Sequence, residues 1–470
     1  RGAVVAATLT ALIALAATLM SAGTSLIVDS LSATSRLSTQ AKLPDLVQMH
    51  TGTVDSETID RWAATRSDIA DHEVIKTLPV PRQELTINGR NQSESYSEPA
   101  FVTSPKRLDL LLDDQGNPVD PRPGEVVLPI HYRAIEAADV GDTVTVTAGD
   151  RTTTLKVVGF ARDAQMNAAM ITSKRLVVSP KDFSSLEQQI SEPEYLIEFT
   201  LAGSARPGTV INSYKEAGLP SNGINISASM IQLMNSLNTM LIVAVALVVA
   251  IVLAVVAILA LRYTVLAAIE SDLAQIAVLK AIGAPHSRIR SLYVIKYLAL
   301  SAVGAIIGYA AGQPLAEQLE APTTLYLGTP PRTVWSVGIP ILAVLVLAAI
   351  IVGFTWLSLR RIGRISTIEA LHSGTSASLR PRRQRWRLSS VRRLPVQVWL
   401  GAREALRPSN ALLLGVLALC TFTMVLPTNV STTLSNPQIA TYLGVGQADL
   451  RIDVRTGVQD LATVDKEVDS

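Results

Sequence analysis

Long apolar runs alternate with polar stretches along this chain, and the runs are long enough to cross a lipid bilayer. They lie at residues 3–28, 241–261, 297–312, 334–359 and 411–427. A transmembrane helix needs about 18–20 mostly apolar residues. The pattern therefore predicts five membrane spans, of which the third and the fifth are the shortest.

The first apolar run has a second interpretation, as a secretory signal peptide. It carries no charged residue from Gly2 to Val28. That is longer than the apolar core of a signal peptide, about 7–15 residues. This favours a retained helix. The chain starts with Arg1 and ends on a polar stretch, so we expect a longer protein cut at both ends.

The long polar region between the first two spans is predicted to fold as an α+β domain. Residues 140–147 alternate with period two, turn at 148–150 and return at 152–159, which predicts a β-hairpin. A helix is predicted at 55–62, with Asp55 or Ser56 as its cap. Residues 223–240 contain few helix breakers and lead into the second span, so we expect a helical stalk there.

Basic residues between the fourth and fifth spans set the predicted orientation. The segment 360–410 contains twelve arginines, opposed only by Glu369 and Glu404. Positively charged loops stay in the cytoplasm, which places the domain after the first span outside. Such a basic segment is also compatible with nucleic-acid binding or a solvated linker. Its position between two spans favours contact with the anionic inner leaflet, so no nucleic-acid partner is expected.

The predicted fold is an α-helical multi-pass membrane protein with a large extracytoplasmic α+β domain, in the cell (plasma or inner) membrane. Alternation of the loops gives its segments in order: span 1–28; outer domain 29–235; span and stalk 236–262; cytoplasmic coupling segment 263–290; span 291–315; outer loop 316–333; span 334–359; basic cytoplasmic linker 360–410; span 411–428; and a second outer segment 429–470.

Motifs for catalysis or metal binding are absent from the sequence. There is no phosphate-binding loop, no nucleophile elbow and no metal-ligand spacing among the five histidines. The single cysteine, Cys420, cannot form an intrachain disulfide. We therefore predict no enzyme activity, metal or cofactor in this chain. The spans are almost free of ionisable residues, which disfavours an ion-driven carrier.

Two stretches are candidate interaction sites. The short segment between the second and third spans mixes polar and apolar residues in a pattern too regular for a plain loop. Its candidate partner-binding residues are Glu270, Asp272, Gln275, Ile276, Leu279, Lys280, Gly283 and Pro285. In the third span, Gly304, Gly308 and Gly312 share one helix face, and small residues at this spacing allow close helix approach. That face is either a contact within the chain or a seam with a second subunit.

Residues 275–284 read Gln-Ile-Ala-Val-Leu-Lys-Ala-Ile-Gly-Ala. They resemble the Glu-Ile-Ala-Leu-Leu/Arg-Ala-Ile-Gly-Ala signature of FtsX/MacB-like permeases of ABC transporters. Residues 364–371 are similar to the Arg-x-x-Pro-x-Glu-Ala-Leu segment after that family's fourth span, and residues 140–144 to its outer-domain Val-Gly-Asp-x-Val. Gln275 replaces the usual acid, and Thr367 stands where proline is common.

The resemblance implies a function. In that family a separate ABC ATPase, expected as a homodimer, binds ATP and docks on the segment after the second span. The permease passes its motion to a MacB-like periplasmic core domain, for export or extraction of peptide, drug, lipid or lipoprotein. An extracytoplasmic lipoprotein, peptide or hydrolase is a further partner that the resemblance allows. The alternative is a non-transporting signalling or scaffold protein that regulates an outer partner such as a cell-wall hydrolase.

The chain also resembles itself. Residues 399–406 are similar to the short helix that precedes a first span in this family, and residues 448–457 are similar to residues 44–52. We therefore expect a tandem duplication of the large two-repeat type, with the second repeat only begun in this sequence.

Overall fold

The computed structural model describes residues 2–362, apart from 96, 150, 168–170, 191, 283 and 284, together with a few residues between 415 and 432. The basic linker 360–410 and the start of the second repeat lie almost entirely outside the described residues, and so does part of the fifth predicted span.

The described chain alternates helices with the strands of one sheet. The helices are α1 (Gly2–Gln40), α2 (Ser56–Ala64), α3 (Ile130–Ala134), α4 (Pro180–Glu187), α5 (Pro207–Glu216), α6 (Ala228–Ala281), α7 (His286–Leu327) and α8 (Val334–Ile362). The strands are β1 (Leu46–Thr51), β2 (Ile69–Pro79), β3 (Leu85–Ile87), β4 (Arg90–Asn91), β5 (Glu98–Val102), β6 (Glu125–Pro129), β7 (Thr143–Ala148), β8 (Arg151–Ala161), β9 (Ser173–Val178), β10 (Glu194–Leu201) and β11 (Asn225–Ser227).

These elements form two compact units. The described part of the helical unit consists mainly of residues 2–28, Leu241–Gln318 and residues 333–362. The described part of the sheet unit consists of Asp29–Met240 and Leu319–Arg332.

Four described helices are long and apolar enough to span a membrane: Ala6–Gln40, Val243–Leu261, Val294–Leu327 and Val334–Leu357. In the helical unit, side chains of α1, α6, α7 and α8 pack into one core that includes Ile13, Ala257, Tyr297 and Leu347. Many large apolar side chains outside this core are exposed, as Ile306 and Leu345 are. Helices with apolar residues on every side suit a lipid environment. The prediction of a membrane protein with a large additional domain is thereby confirmed.

The sheet unit is built on an eleven-stranded mixed sheet, in the order β11-β1-β10-β2-β5-β9-β6-β8-β7-β3-β4. The β5–β9 and β6–β8 pairs are parallel, whereas the other neighbours are antiparallel. In the β7–β8 hairpin, Val144 pairs with Leu155, and both face the core because their neighbours alternate with period two. Gly149 adopts a φ of +58° in the connecting turn, a conformation that glycine reaches without strain.

Helix α2 of the sheet unit begins as its sequence predicts. The Asp55 carboxylate accepts hydrogen bonds from the Glu57 backbone N–H at 3.1 Å and from the Thr58 hydroxyl at 2.6 Å. These bonds satisfy donors that lack a partner inside the first turn. The cap fixes the start of α2, so that Ile59 and Ala63 fall on its buried face.

Two elements near the ends of the long helices differ from the sequence pattern. The stalk helix begins at Ala228 rather than near residue 223, because β11 pairs with β1 just before it. The second difference concerns α7, which continues through the first part of the predicted outer loop 316–333 and ends at Leu327. Gly328 stops it there with a φ of +84° and a backbone hydrogen bond to the Thr324 carbonyl at 2.8 Å.

Candidate functional site

The predicted coupling segment is the end of one long helix and the turn that follows it. Helix α6 runs without interruption from Ala228 to Ala281, although its apolar span ends at Leu261. At 1.5 Å per residue, the helix extends about 30 Å beyond that span. The next helix, α7, begins at His286, directly after Pro285. The signature residues therefore lie on a helix end and a tight connection.

The structure places the predicted partner-binding residues as follows. Glu270, Asp272, Gln275, Ile276, Leu279 and Lys280 lie within α6, and Pro285 lies exposed in the connection. The side-chain positions of the six helical residues, and Gly283 as a whole, fall outside the described part of the chain.

Two apolar residues of this segment are strongly exposed. Val278 is 58% and Ile282 is 79% exposed. The Ile282 backbone N–H donates to the Val278 carbonyl at 3.1 Å, so the helical pattern reaches Ile282. Residues four apart lie on the same side of a helix. Val278 and Ile282 thus form an apolar pair beyond the membrane span, and a contacting protein could bury it.

The glycine face of α7 lies against α1 of the same chain. A Cβ atom on Gly304 would be 2.9 Å from Ile13 Cγ2, one on Gly308 would be 2.4 Å from Ala17 Cβ, and one on Gly312 would be 2.6 Å from Ser21 Cβ. Distances this short leave no room for a side chain. Of the two alternatives left open by the sequence, the structure contains the contact within the chain.

A polar contact continues this α1–α7 seam, and the sequence analysis missed it. The Gln313 side-chain amide donates to the Ser21 hydroxyl at 3.1 Å and lies 3.4 Å from the Ser25 hydroxyl. Interhelical hydrogen bonds of this kind stabilise helix pairs in membranes. The available signal was the spacing of Ser21 and Ser25, which lie four residues apart near the end of the first apolar run.

The interior of the sheet unit holds a buried charge cluster that the sequence analysis also missed. Arg175 Nη1 lies 2.6 Å from Asp109 Oδ2, and Arg175 Nε donates to Asp163 Oδ2 at 2.7 Å. The carboxyl of Glu198 accepts from the Gln165 amide at 3.0 Å. Burial, and then the neighbouring Asp109, raise the pKa of Glu198 well above its usual value. Burial thus favours the neutral form of the Glu198 carboxyl.

Three other titratable side chains of the sheet unit, those of Lys174, His50 and His72, have hydrogen-bonding or charged partners within the unit. Lys174 Nζ donates to the Met166 and Ile171 carbonyls at 3.1 and 2.6 Å, and burial lowers the pKa of Lys174 to about 8. His50 Nδ1 accepts from the Asn222 backbone N–H at 3.0 Å, and His72 Nε2 lies 2.7 Å from Asp60 Oδ1. Within the described residues, no group of three or more His, Cys, Asp or Glu side chains could hold a metal ion.

Comparison with known proteins gives a family match over the long helices α6, α7 and α8. None of the curated proteins compared with the sequence matches it. The crystal structure of the periplasmic region of MacB from Actinobacillus actinomycetemcomitans matches 42% of this chain and 94% of its own, at 13% identity. Its TM-score of 0.21 is too low to establish a shared fold.

A family model described as FtsX-like permease C-terminal matches residues 225–367. The match includes α6, α7 and α8, and with them the coupling segment and the glycine face. It agrees with the resemblance carried by residues 275–284. Residues 225–367 of this chain are therefore similar to the C-terminal domain of FtsX-like permeases.

Proposed function

We propose that this chain is the permease subunit of an ABC transporter. A separate ATPase binds and hydrolyses ATP, and the permease carries the resulting motion to the sheet unit outside the cell. The output is export or extraction of a peptide, drug, lipid or lipoprotein. The observation that carries the proposal is the FtsX-like permease match over residues 225–367, which contains the exposed end of α6.

The ATPase contact in this proposal is the coupling segment at residues 266–288, together with residues 360–372. Val278 and Ile282 support it, because their apolar side chains are exposed beyond the membrane span. Exposed apolar surface rimmed by polar residues is typical of protein interaction sites. The same segment also contains the charged residues Glu270, Asp272 and Lys280. The chain itself contributes neither a catalytic residue nor a cofactor.

The continuity of α6 supports mechanical transmission. One helix of 54 residues contains both the coupling segment and the stalk that begins next to β11. At 1.5 Å per residue, a helix of this size is about 80 Å long. A packed helix transmits displacement as a rigid element. A shift at the Ala281 end is therefore carried to the stalk without an intervening loop.

The membrane placement also belongs to the proposal. The four apolar helices cross the plasma or inner membrane, the sheet unit is extracytoplasmic, and the basic linker is cytoplasmic.

The test is retention of an ATPase by the purified full chain. An ABC ATPase should co-purify with the wild-type protein from membranes. Ile282→Glu should abolish that retention, because a buried carboxylate costs several kcal/mol. Ile135→Glu is the matched control, since Ile135 is also an exposed isoleucine but lies in the sheet unit. The proposal fails if the wild type retains no ATPase, or if Ile282→Glu retains as much as Ile135→Glu.

A further inference from the structure

In the sheet unit, one arginine side chain bonds the last turn of α7 and a second, separate segment. Arg162 follows the end of β8, and its side chain is 14% exposed. Its Nε donates to the Leu325 carbonyl at 3.1 Å. Its Nη1 donates to the Asp114 carbonyl at 3.1 Å, and its Nη2 lies 3.0 Å from Asp114 Oδ1. The guanidinium therefore connects the end of α7 to the loop after Leu112.

Further side chains of the sheet unit hold the same turn. The Asn167 amide donates to the Tyr326 carbonyl, and His131 Nδ1 lies 3.3 Å from the Tyr326 hydroxyl. Leu327 is buried in a small apolar cluster that also contains Leu37 and Leu112. Hydrogen bonds thus fix the backbone of this turn, and apolar contacts fix its side chains.

These bonds go to carbonyl groups that a helix cannot satisfy by itself. The last four carbonyls of an α-helix lack an intrahelical partner. In α7, the Leu325 and Tyr326 carbonyls take donors from Arg162 and Asn167. A positive charge at a helix C-terminus is also favourable, because it complements the helix dipole. The sheet unit therefore caps the C-terminal end of α7, several turns after the predicted membrane span 291–315.

Chain connectivity gives this cap a mechanical consequence. Helix α1 leads into β1, and α6 starts directly after β11, so both are joined to the sheet through the backbone. Helix α7 leads only into a short connection to α8. Without the contacts of its last turn, the α7–α8 hairpin would not be attached to the sheet unit at this point.

We propose that Arg162 is a positioning residue that couples α7 to the sheet unit, as a third connection beside α1 and α6. The inference rests on the proposed function, since it is the ATP-driven motion of the helices that the connection passes on. Because α7 begins at His286, within the coupling segment, a shift there reaches the sheet unit by a second helical route.

The measurement is the nucleotide-dependent change of one distance in the full chain, reconstituted in lipid nanodiscs with its ABC ATPase. Spin labels are attached to Thr147→Cys in β7 and Val334→Cys at the start of α8, both exposed, in a Cys420→Ser background. The wild type should show a shift between the nucleotide-free and the ATP-vanadate states. Arg162→Gln should reduce that shift roughly twofold or more.

Three controls separate coupling from stability. Arg162→Lys keeps the charge but cannot bond both segments at once, so it should not restore the shift. Arg107→Gln removes an exposed arginine that pairs with Asp71 in the same unit, and should leave the shift unchanged. Hydrogen exchange of the β9 amides reports the stability of the sheet unit and should be equal in all variants. If Arg162 had a purely structural role, Arg162→Gln would change this exchange and leave the distance shift unchanged.

The outcomes are distinguishable. If the wild type shows no nucleotide-dependent shift, the proposed function fails together with this inference. If the wild type shifts and Arg162→Gln shifts equally, only the inference fails. If Arg162→Gln does not assemble with the ATPase, Asn167→Ala can be used instead. It removes the Asn167 hydrogen bond to the Tyr326 carbonyl and should reduce the distance shift by a smaller amount. An undiminished shift in that variant overturns the inference.

Discussion

Arg175 Nη1 lies 2.6 Å from Asp109 Oδ2 in the interior of the sheet unit, and both side chains are almost completely buried. Asp163 binds the other side of the same guanidinium. One cation thus holds two carboxylates between β9 and the loop segments around residues 109 and 163. Breaking a buried ion pair by removing one partner is strongly destabilising, because the other charge stays buried.

Arg175→Leu should therefore destabilise the sheet unit by about 3–5 kcal/mol. Hydrogen exchange of the β9 and β10 amides measures this change in the full chain. Arg107→Gln is the control, since it breaks an exposed pair with Asp71 and should cost only about 0–1 kcal/mol. Equal protection in the two variants would contradict a structural role for the buried pair.

The raised pKa of Glu198 predicts a pH dependence of stability. Its pKa in the folded protein is raised well above the usual value of 4.5, first by burial. The folded state then binds more protons than the unfolded state above about pH 4.5, so this contribution to stability is full below that pH. It is lost as the pH rises through the folded-state pKa.

Glu198→Gln should remove this loss of stability at higher pH, since the amide has the same shape as the carboxyl group and cannot ionise. The check is hydrogen exchange or thermal unfolding at several pH values from 5 to 9, compared between variant and wild type. Because other groups titrate in the same range, only the difference between the two proteins is interpreted. Parallel pH profiles of the two proteins would show that ionisation of Glu198 does not contribute to the pH dependence of stability.

The α1–α7 seam predicts a strong effect of a single methyl group. Gly308→Ala would place a Cβ 2.4 Å from Ala17 Cβ and 2.6 Å from the Ala14 carbonyl oxygen. Overpacking of this kind costs about 1–3 kcal/mol. Gly353→Ala in α8 is the matched control, because nothing lies within 4 Å of its added Cβ. Thermal unfolding in detergent should show a lower midpoint for the first variant only, and equal midpoints would count against the close approach of α1 and α7.

Much of the architecture could be predicted from local pattern. The apolar runs, the period-two hairpin at residues 140–159 and the Asp55 cap depend on neighbouring residues, so a sequence reveals them directly. The position of the coupling segment likewise follows from its place between two spans and from the motif at residues 275–284.

The rest depends on contacts between distant residues. Arg162 meets the carbonyl of Leu325, and Arg175 meets Asp109, although each pair is far apart in the sequence. The folded sheet alone brings these residues together, and no local period marks them. The extension of α7 to Leu327 has the same cause, because its last turn is satisfied by side chains of the sheet unit.

If the end of α6 receives the motion of an ABC ATPase, ATP turnover should depend on that end of the helix. The most direct measurement is ATP turnover by the co-purified ATPase, reconstituted in nanodiscs with the wild-type chain, with Ile282→Glu or with Ile135→Glu. We expect the wild type and Ile135→Glu to change ATP turnover equally relative to the ATPase alone. Ile282→Glu should leave turnover at the level of the free ATPase. Turnover that responds to Ile282→Glu as it does to the wild type would show that the end of α6 does not receive this motion.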